Sequence, residues 1–412
     1  MPKHFDGLET REQDERERSQ FECLRALLAN ALPLAPGLAR HLDGVQPDLI
    51  VDRKALARLP VLRKSDLMAL QKSDPPFGGL TTRTPTEFTH VFQSPGPIYE
   101  PGMDTADWWR FARALWAGGL RPDDVVLNCF AYHLTPAGLM FDSGARALGA
   151  SVLPGGVGNT EAQALAAADL GVTAYAGTPD FLKVLMEKAA ELGRTLNITK
   201  AIVGGGPLFP KMREYYRDHG ISCVQGYGTA DLGSIAYEAL GPDGLHTPYM
   251  IVDEGLILEI VRPGTGDPVA EGEVGEVLVS LLNADYPLIR FATGDMSAMS
   301  DAAPVCGRTG ARIKGWMGRA DQTTKVRGMF VRPEQVAEVL RRHPDVTKAR
   351  LTVGREDDSD SMVLAVETEA ADGAAIARSL RDILKLRADV RAVAVGSLPN
   401  DGKVIDDTRD FG

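Results

Sequence analysis

The polar and apolar positions change period several times along the chain, and each change marks an element. Residues 9–31 begin charged and turn apolar through FECLRALLANAL, the pattern of an amphipathic helix. A helical, loop-rich region follows to about residue 90. Short apolar runs then alternate with amphipathic ones. VVLNCFAY (125–132), ASVLPGG (150–156), VTAYAGTP (172–179), KAIVGGGP (200–207) and ISCVQGYG (221–228) read as buried strands. Between them GLMFDSGARALG (138–149), NTEAQALAAADLG (159–171), DFLKVLMEKAAELG (180–193) and KMREYYRDHG (211–220) read as helices. The second of these opens on an Asn/Thr cap with an acid in its first turn. Strands alternating with helices predict βαβ units and a mostly parallel sheet.

After residue 250 the texture changes. GLILEIV, GEVLVSLL and LIRFATGD read as successive antiparallel strands joined by Gly/Pro turns, a small sheet or barrel. Beyond Asp321 the order is strand (329–332), helix (334–343), strand (348–354), strand (362–368), helix (373–387) and strand (389–396). This β-α-β-β-α-β order predicts a ferredoxin-like α+β module. The expected division is residues 1–320 and 321–412.

Composition narrows the function classes. The 412 residues carry a net charge of −11, which argues against nucleic acid as a partner, since phosphate binding needs a basic face. Cys23, Cys129, Cys223 and Cys306 lie far apart with no C-x-x-C pair, so a reducing cytoplasm is expected. No apolar stretch approaches the ~20 residues that span a bilayer. The charged N-terminus has no signal-peptide core.

Five segments carry candidate chemistry. The turn PGGVGNTE (154–161) puts Glu161 where a dinucleotide fingerprint needs its third glycine, so it reads as a plain strand-to-helix turn. VGGGPL (203–208) bares the backbone at a strand end, where ligands of open α/β sheets bind; a tight turn explains it as well. In VQGYGTADLG (224–233), Tyr227 between two glycines suits a flat purine, and Asp231 is a usable Mg2+ ligand. Asp295 in YPLIRFATGD can accept both hydroxyls of a ribose or simply cap its own turn. Residues 306–328 are basic within an acidic chain, either a solvated face or a phosphate contact. Phe130, Tyr132 and His133 are equally a core cluster or the wall of a flat acyl pocket. Near the C-terminus, SLPNDGKVIDD (397–407) sets Lys403 in a tail that position alone marks as exposed.

Taken together and in order, these segments resemble the adenylate-forming acyl/aryl-CoA ligase superfamily, most of all its phenylacetate–CoA ligase branch. LARLPVLRKSDL (56–67), DPPFGGL (74–80), GNTEAQ, YPLIRFATGD, CGRT and GRADQTTKVRGMFVRPEQVAEVL carry the resemblance nearly end to end. It implies an ATP-, Mg2+- and coenzyme A-dependent ligase acting on a small carboxylic acid, and a homodimer. Gly205, Gly206 and Pro207 would line adenine, with Tyr227 stacked on it, Gln225 near its amino group and Gly228 also binding the nucleotide. Asp231 would hold Mg2+, Asp295 the ribose, and Arg319 phosphate or ribose. Asp321 would be the hinge of a mobile C-terminal domain whose Lys403 reaches the reacting carboxylate and α-phosphate.

The chain departs from that family at its phosphate loop. Where relatives read roughly SSGTTGKP, VFQSPGPIYEP (91–101) keeps Ser94 and Gly96. Its turn places two prolines, Pro95 and Pro97, which lack N–H donors, and Glu100 stands where the family has lysine or nearby polar groups. Of a Cys/His metal site found in some relatives, only His246 and Cys306 remain, so no structural zinc is expected. Two readings follow: a ligase with a rebuilt phosphate site, or a non-catalytic homologue that binds an acyl group or nucleotide.

Overall fold

The computed structural model describes residues 3–320, 322–356, 359–368, 373–399 and 403–409. The chain forms two compact units. The first holds residues 1–293 and 297–316, and the second residues 294–296 and 317–412.

In the first unit the N-terminal pattern resolves into a 3-10 turn, Gly7–Thr10, and a helix, Gln13–Ala31. Its strands, in chain order, begin with Leu62–Arg63 (β1), His90–Ser94 (β2) and Ile98–Gly102 (β3). Val125–Asn128 (β4), Ser151–Leu153 (β5), Ala174–Gly177 (β6), Lys200–Val203 (β7), Ser222–Thr229 (β8) and Gly233–Tyr237 (β9) follow. The last are Met250–Val252 (β10), Leu256–Val261 (β11), Gly275–Leu281 (β12), Phe291–Ser297 (β13), whose residues 294–296 count with the second unit, and Arg312–Ile313 (β14). β5, β4, β6, β7 and β8 lie parallel, and β9, β10 and β14 extend them antiparallel into an eight-stranded sheet. Helices Thr160–Asp169 and Pro179–Glu191 bury Ala164, Ala167, Leu182 and Leu185 against one face of that sheet. Phe111–Ala117 and Ala137–Ala147 cover the other. Both faces are covered, so the strands are near-continuous apolar runs rather than alternating ones. A second sheet runs β1-β13-β12-β11.

Two local expectations are corrected. The run 125–132 leaves the sheet at Asn128, whose side-chain amide donates to the Gly138 carbonyl and the Tyr132 hydroxyl (both 2.8 Å) and accepts from the Phe130 N–H (3.1 Å). Asn159 stands at its helix start in a left-handed conformation, φ 53°, and makes no side-chain cap.

The second unit contains Thr324–Val326 (β15), Met329–Val331 (β16), Lys348–Glu356 (β17), Ser359–Glu367 (β18), Asp389–Val393 (β19) and Ile405–Asp407 (β20). Its helices Pro333–Arg342 and Gly373–Leu384 bury Val336, Val339, Ile376, Leu380 and Leu384 with Leu351, Val353 and Leu364 of the sheet. The α+β module forms, with one change at an edge. β16 pairs with β15 in a separate hairpin, and the C-terminal β20 fills the place beside β17, giving the order β19-β18-β17-β20.

Candidate active site

The expected adenine residues of the first unit come together. β7 ends at Val203, and the glycine run bends there with Gly205 at φ +71°, a conformation only glycine takes without strain. Gln225 on neighbouring β8 donates its side-chain amide to the Gly206 carbonyl at 3.3 Å. Gln225 is itself held, because its backbone N–H donates to Glu238 at 2.7 Å and Glu238 pairs with Arg213. Two residues on, the Tyr227 hydroxyl donates to Thr293 at 3.4 Å, and a bulge falls between Tyr227 and Gly228. The Tyr227 ring is thus held at its far end, beside an exposed Gly228.

The aromatic trio divides. Phe130 is buried and stacks on Phe141 with ring centres 4.3 Å apart. A methyl group built on Gly204 would stand 3.9–4.0 Å from these two rings, so they back directly onto the glycine turn. Tyr132 ties its hydroxyl to Asn128 and Asp142, and burial pushes its phenol well above the usual range. His133 is exposed.

The segment aligned with the family's phosphate loop is a tight hairpin. Ser94 pairs with Ile98 across β2 and β3, and the turn residues Pro95, Gly96 and Pro97 are exposed. Only Gly96 of those three has a backbone N–H to offer. Ser94 is buried and donates its hydroxyl to Glu100, its diagonal neighbour on the same hairpin face. Gln71 clamps the outer edge through the Tyr99 backbone, at 2.8 Å from its N–H and 2.7 Å from its carbonyl.

Asp231 lies in the turn between β8 and β9 and pairs with Lys64, which follows β1. Glu100 sits in the field of this pair. Burial, then the Asp231 charge, pushes its carboxyl up to about 8 against the opposing pull of Ser94 and Lys64. Lys64, Glu238 and the Glu100–Asp231 coupling escaped the sequence reading. Lys64 alone had a signal, since it lies within LARLPVLRKSDL. Residues so far apart in the chain leave no spacing to read.

In the second unit, Arg319 donates to Asp295 at 3.0 Å, and Ala320 N–H donates to the Gly294 carbonyl at 2.8 Å. Gly294 has φ +76°, and a Cβ there would fall 2.5 Å from the Arg319 guanidinium. The Thr-Gly-Asp turn and Arg319 therefore form one interlocked piece. Lys403 is exposed and pairs with Asp406 at 2.8 Å. Its neighbours Val404 and Ile405 donate backbone N–H groups to Gln322, at 2.7 and 3.2 Å, and lead into β20. The lysine is thus set on the shoulder of a sheet strand. The expected hinge, Asp321, lies outside the described residues.

Of the two residues that the resemblance relates to a metal site, Cys306 is buried in an apolar cluster with Tyr237, Ala239, Tyr249 and Ile251, and His246 bonds the Thr247 carbonyl at 3.0 Å. Among the described residues no three His, Cys, Asp or Glu side chains are grouped to hold a metal ion, and no helix is long and apolar enough to cross a membrane.

Residues 104–282 match the family model of AMP-binding enzymes. The chain is 31% identical to a phenylacetate–coenzyme A ligase of Thermus thermophilus over 378 residues, covering 87% of this chain and 83% of that protein. It is 29% identical to the Escherichia coli phenylacetate–coenzyme A ligase over 430 residues, covering 97% and 96% of the two chains. A solved 2-hydroxyisobutyryl-CoA ligase, in complex with 2-HIB-AMP and CoA, shares the fold with a TM-score of 0.81 at 23% identity, over 100% of this chain and 93% of that one. Similarity of this depth, sustained through both units, makes the chain a member of the phenylacetate–coenzyme A ligase family of AMP-binding enzymes.

Proposed function

We propose that the protein activates a small carboxylic acid with ATP and transfers the acyl group to coenzyme A. The substrate carboxylate attacks the α-phosphorus, an acyl–phosphate bond forms, and pyrophosphate leaves. The coenzyme A thiolate then attacks the acyl carbon and AMP leaves. The observation that carries this reading is the match over 97% of the chain to a ligase of this kind.

In this reading Gly205, Gly206, Pro207, Gln225, Tyr227 and Gly228 hold adenine, and Asp295 with Arg319 holds the ribose. The Phe130–Phe141 stack closes the acyl pocket. Ser94 and Gly96 remain the loop contacts for phosphate. Lys403 supplies a cation where negative charge grows on the reacting oxygens. Asp321 is the pivot. Asp231 fits a Mg2+ ligand, because its buried Oδ1 has no hydrogen-bond partner while Oδ2 is held by Lys64. Mg2+ bound there neutralises charge on the phosphates. Four unpaired cysteines suit a reducing cytoplasm, and the family resemblance implies a homodimer.

The test is AMP and pyrophosphate release from ATP–Mg2+ across a panel of aryl and short acyl acids, with and without coenzyme A. Acid-dependent AMP supports the reading and names the substrate class. Silence across the panel, with no ATP binding in a parallel titration, would leave a non-catalytic binder whose Ser94–Glu100 hairpin no longer receives phosphate.

A further inference from the structure

The backbone beside Lys403 is held by one side chain from a distant segment. The Gln322 side-chain carbonyl accepts the backbone N–H groups of Val404 at 2.7 Å and of Ile405 at 3.2 Å. The Val404 N–H lies in the peptide plane that begins at the Lys403 carbonyl, so this bond fixes the plane directly after the lysine. Val404 also gives its carbonyl to the Leu351 N–H at 2.9 Å, where β20 joins β17. Among the described residues the nearest anchor upstream is Pro399, whose carbonyl accepts the Lys348 ammonium at 2.8 Å. The lysine's own ion pair with Asp406 is exposed and holds it weakly. The direction in which Lys403 leaves the backbone is therefore set at Gln322. Gln322 itself takes a left-handed conformation, φ 58°, uncommon for a residue with a long side chain. Its N–H donates to the Arg319 carbonyl at 3.3 Å, and Arg319 pairs with Asp295 at 3.0 Å. In sequence it directly follows Asp321. One residue thus joins the Asp295–Arg319 piece to the strand that carries Lys403.

We propose that Gln322 is the positioning residue of Lys403 and acts in acyl-adenylate formation through that lysine alone. This rests on the reading of Lys403 as the cation of the first half-reaction. The anchor needs only an acceptor oxygen at the end of a side chain of this length. Glutamate supplies one as well; methionine matches the length but offers only a weak sulfur acceptor. Without the anchor the peptide after Lys403 is free to turn, and the ammonium spreads over more directions. Developing negative charge gains most from a cation already in place, so the looseness is felt in the rate of the chemical step rather than in nucleotide binding. Transfer to coenzyme A forms no phosphate bond and does not sense it.

The experiment compares Gln322→Met and Gln322→Glu with wild type in the full chain, each also in the Lys403→Ala background. Gln322→Met should lower kcat for acid-dependent AMP formation about ten-fold, with the KM for ATP little changed. Transfer to coenzyme A from supplied acyl-adenylate should stay near the wild-type rate. Gln322→Glu should recover most of the lost kcat. In the Lys403→Ala background Gln322→Met should cost nothing more, because the residue acts only through that lysine. Amide exchange read by mass spectrometry checks the anchor itself: the peptide holding Val404 and Ile405 should exchange faster in Gln322→Met than in Gln322→Glu, and equal exchange overturns the inference. A merely structural role slows both half-reactions alike and slows AMP formation again without the lysine; either result overturns it too. So does Gln322→Glu being as slow as Gln322→Met. An active enzyme in which Gln322→Met keeps the wild-type kcat loses this role and retains the function. A wild type that forms no AMP with any acid of the panel overturns the ligase reading, and this role with it.

Discussion

Ser94 donates its hydroxyl to Glu100 across the turn of one hairpin, and both side chains are buried. Burial, then the Asp231 charge, push this carboxyl up to about 8, and the Ser94 hydroxyl and backbone hydrogen bonds oppose them. Ser94→Ala removes the side-chain partner of a buried carboxyl group. The expected loss is roughly 1–3 kcal/mol in urea unfolding at neutral pH. Adding Glu100→Met removes the orphaned acceptor as well and should recover most of that loss. If the double variant is as unstable as the single one, the hydrogen bond is not where the stability lies.

A second, half-buried acid makes stability depend on pH. Asp107 accepts the Ala112 N–H at 3.0 Å, at the start of the helix Phe111–Ala117. Burial and the nearby Asp253 push its carboxyl up to about 7, against the opposing pull of that N–H and of Arg110. A raised acid pKa means the folded chain keeps a proton that the unfolded chain gives up. Its contribution to stability is therefore full near pH 4, falls as pH rises, and levels off above about 7. Asp107→Asn keeps the acceptor and removes the titration. The melting temperature of this variant should gain on wild type steadily from pH 4 to 7. A difference that stays constant over that range would show that Asp107 ionises normally.

How much of this could be read beforehand differs between the two ends of the large sheet. From Val125 to Thr229 each strand is a short apolar run closed by glycine or a cap, and the helices between carry their own period, so local pattern and tertiary structure agree. β3 contains Pro101 and the charge of Glu100, which disguise a strand as a loop; as one arm of a two-stranded hairpin it tolerates both. β20 was hidden for another reason. Its three residues are Ile405, Asp406 and Asp407, and only pairing with Leu351–Val353 makes them a strand. The glycine edge was legible because glycine runs are local. The Lys64–Asp231 pair was not, because it is assembled from two distant segments by the fold alone.

Arg409 supports that C-terminal edge. Its guanidinium is nearly inaccessible and bonds Asp360 at 2.9 Å, Asp407, the Lys325 carbonyl at 3.0 Å and the Thr324 hydroxyl at 2.8 Å. Removing it leaves two carboxylates facing each other without their shared cation. Arg409→Ala should cost roughly 3–5 kcal/mol of the second unit's stability. Amide exchange read by mass spectrometry should show faster exchange in residues 403–409 and in β17. Because Lys403 is carried on this segment, AMP formation should fall too. Unchanged exchange there would mean that β20 stays in place without the arginine.

Lys403 offers the sharpest separation of the two half-reactions. Its ammonium is exposed, on a defined shoulder before β20, with Asp406 as a surface partner that screening by water makes weak. A cation so placed can exchange that partner for developing negative charge at little cost. Lys403→Ala should therefore slow acid-dependent AMP formation by about 10²–10³, the usual loss on removing one electrostatic stabiliser. Transfer to coenzyme A from acyl-adenylate supplied ready-made should continue near the wild-type rate, since no phosphate bond forms in that step. Lys403→Arg, which keeps the charge but not the compact ammonium, should recover only part of the first rate. Equal losses in both half-reactions would place the lysine in general folding or in binding common to both steps, and no loss in either would return it to the role of a solvated surface charge.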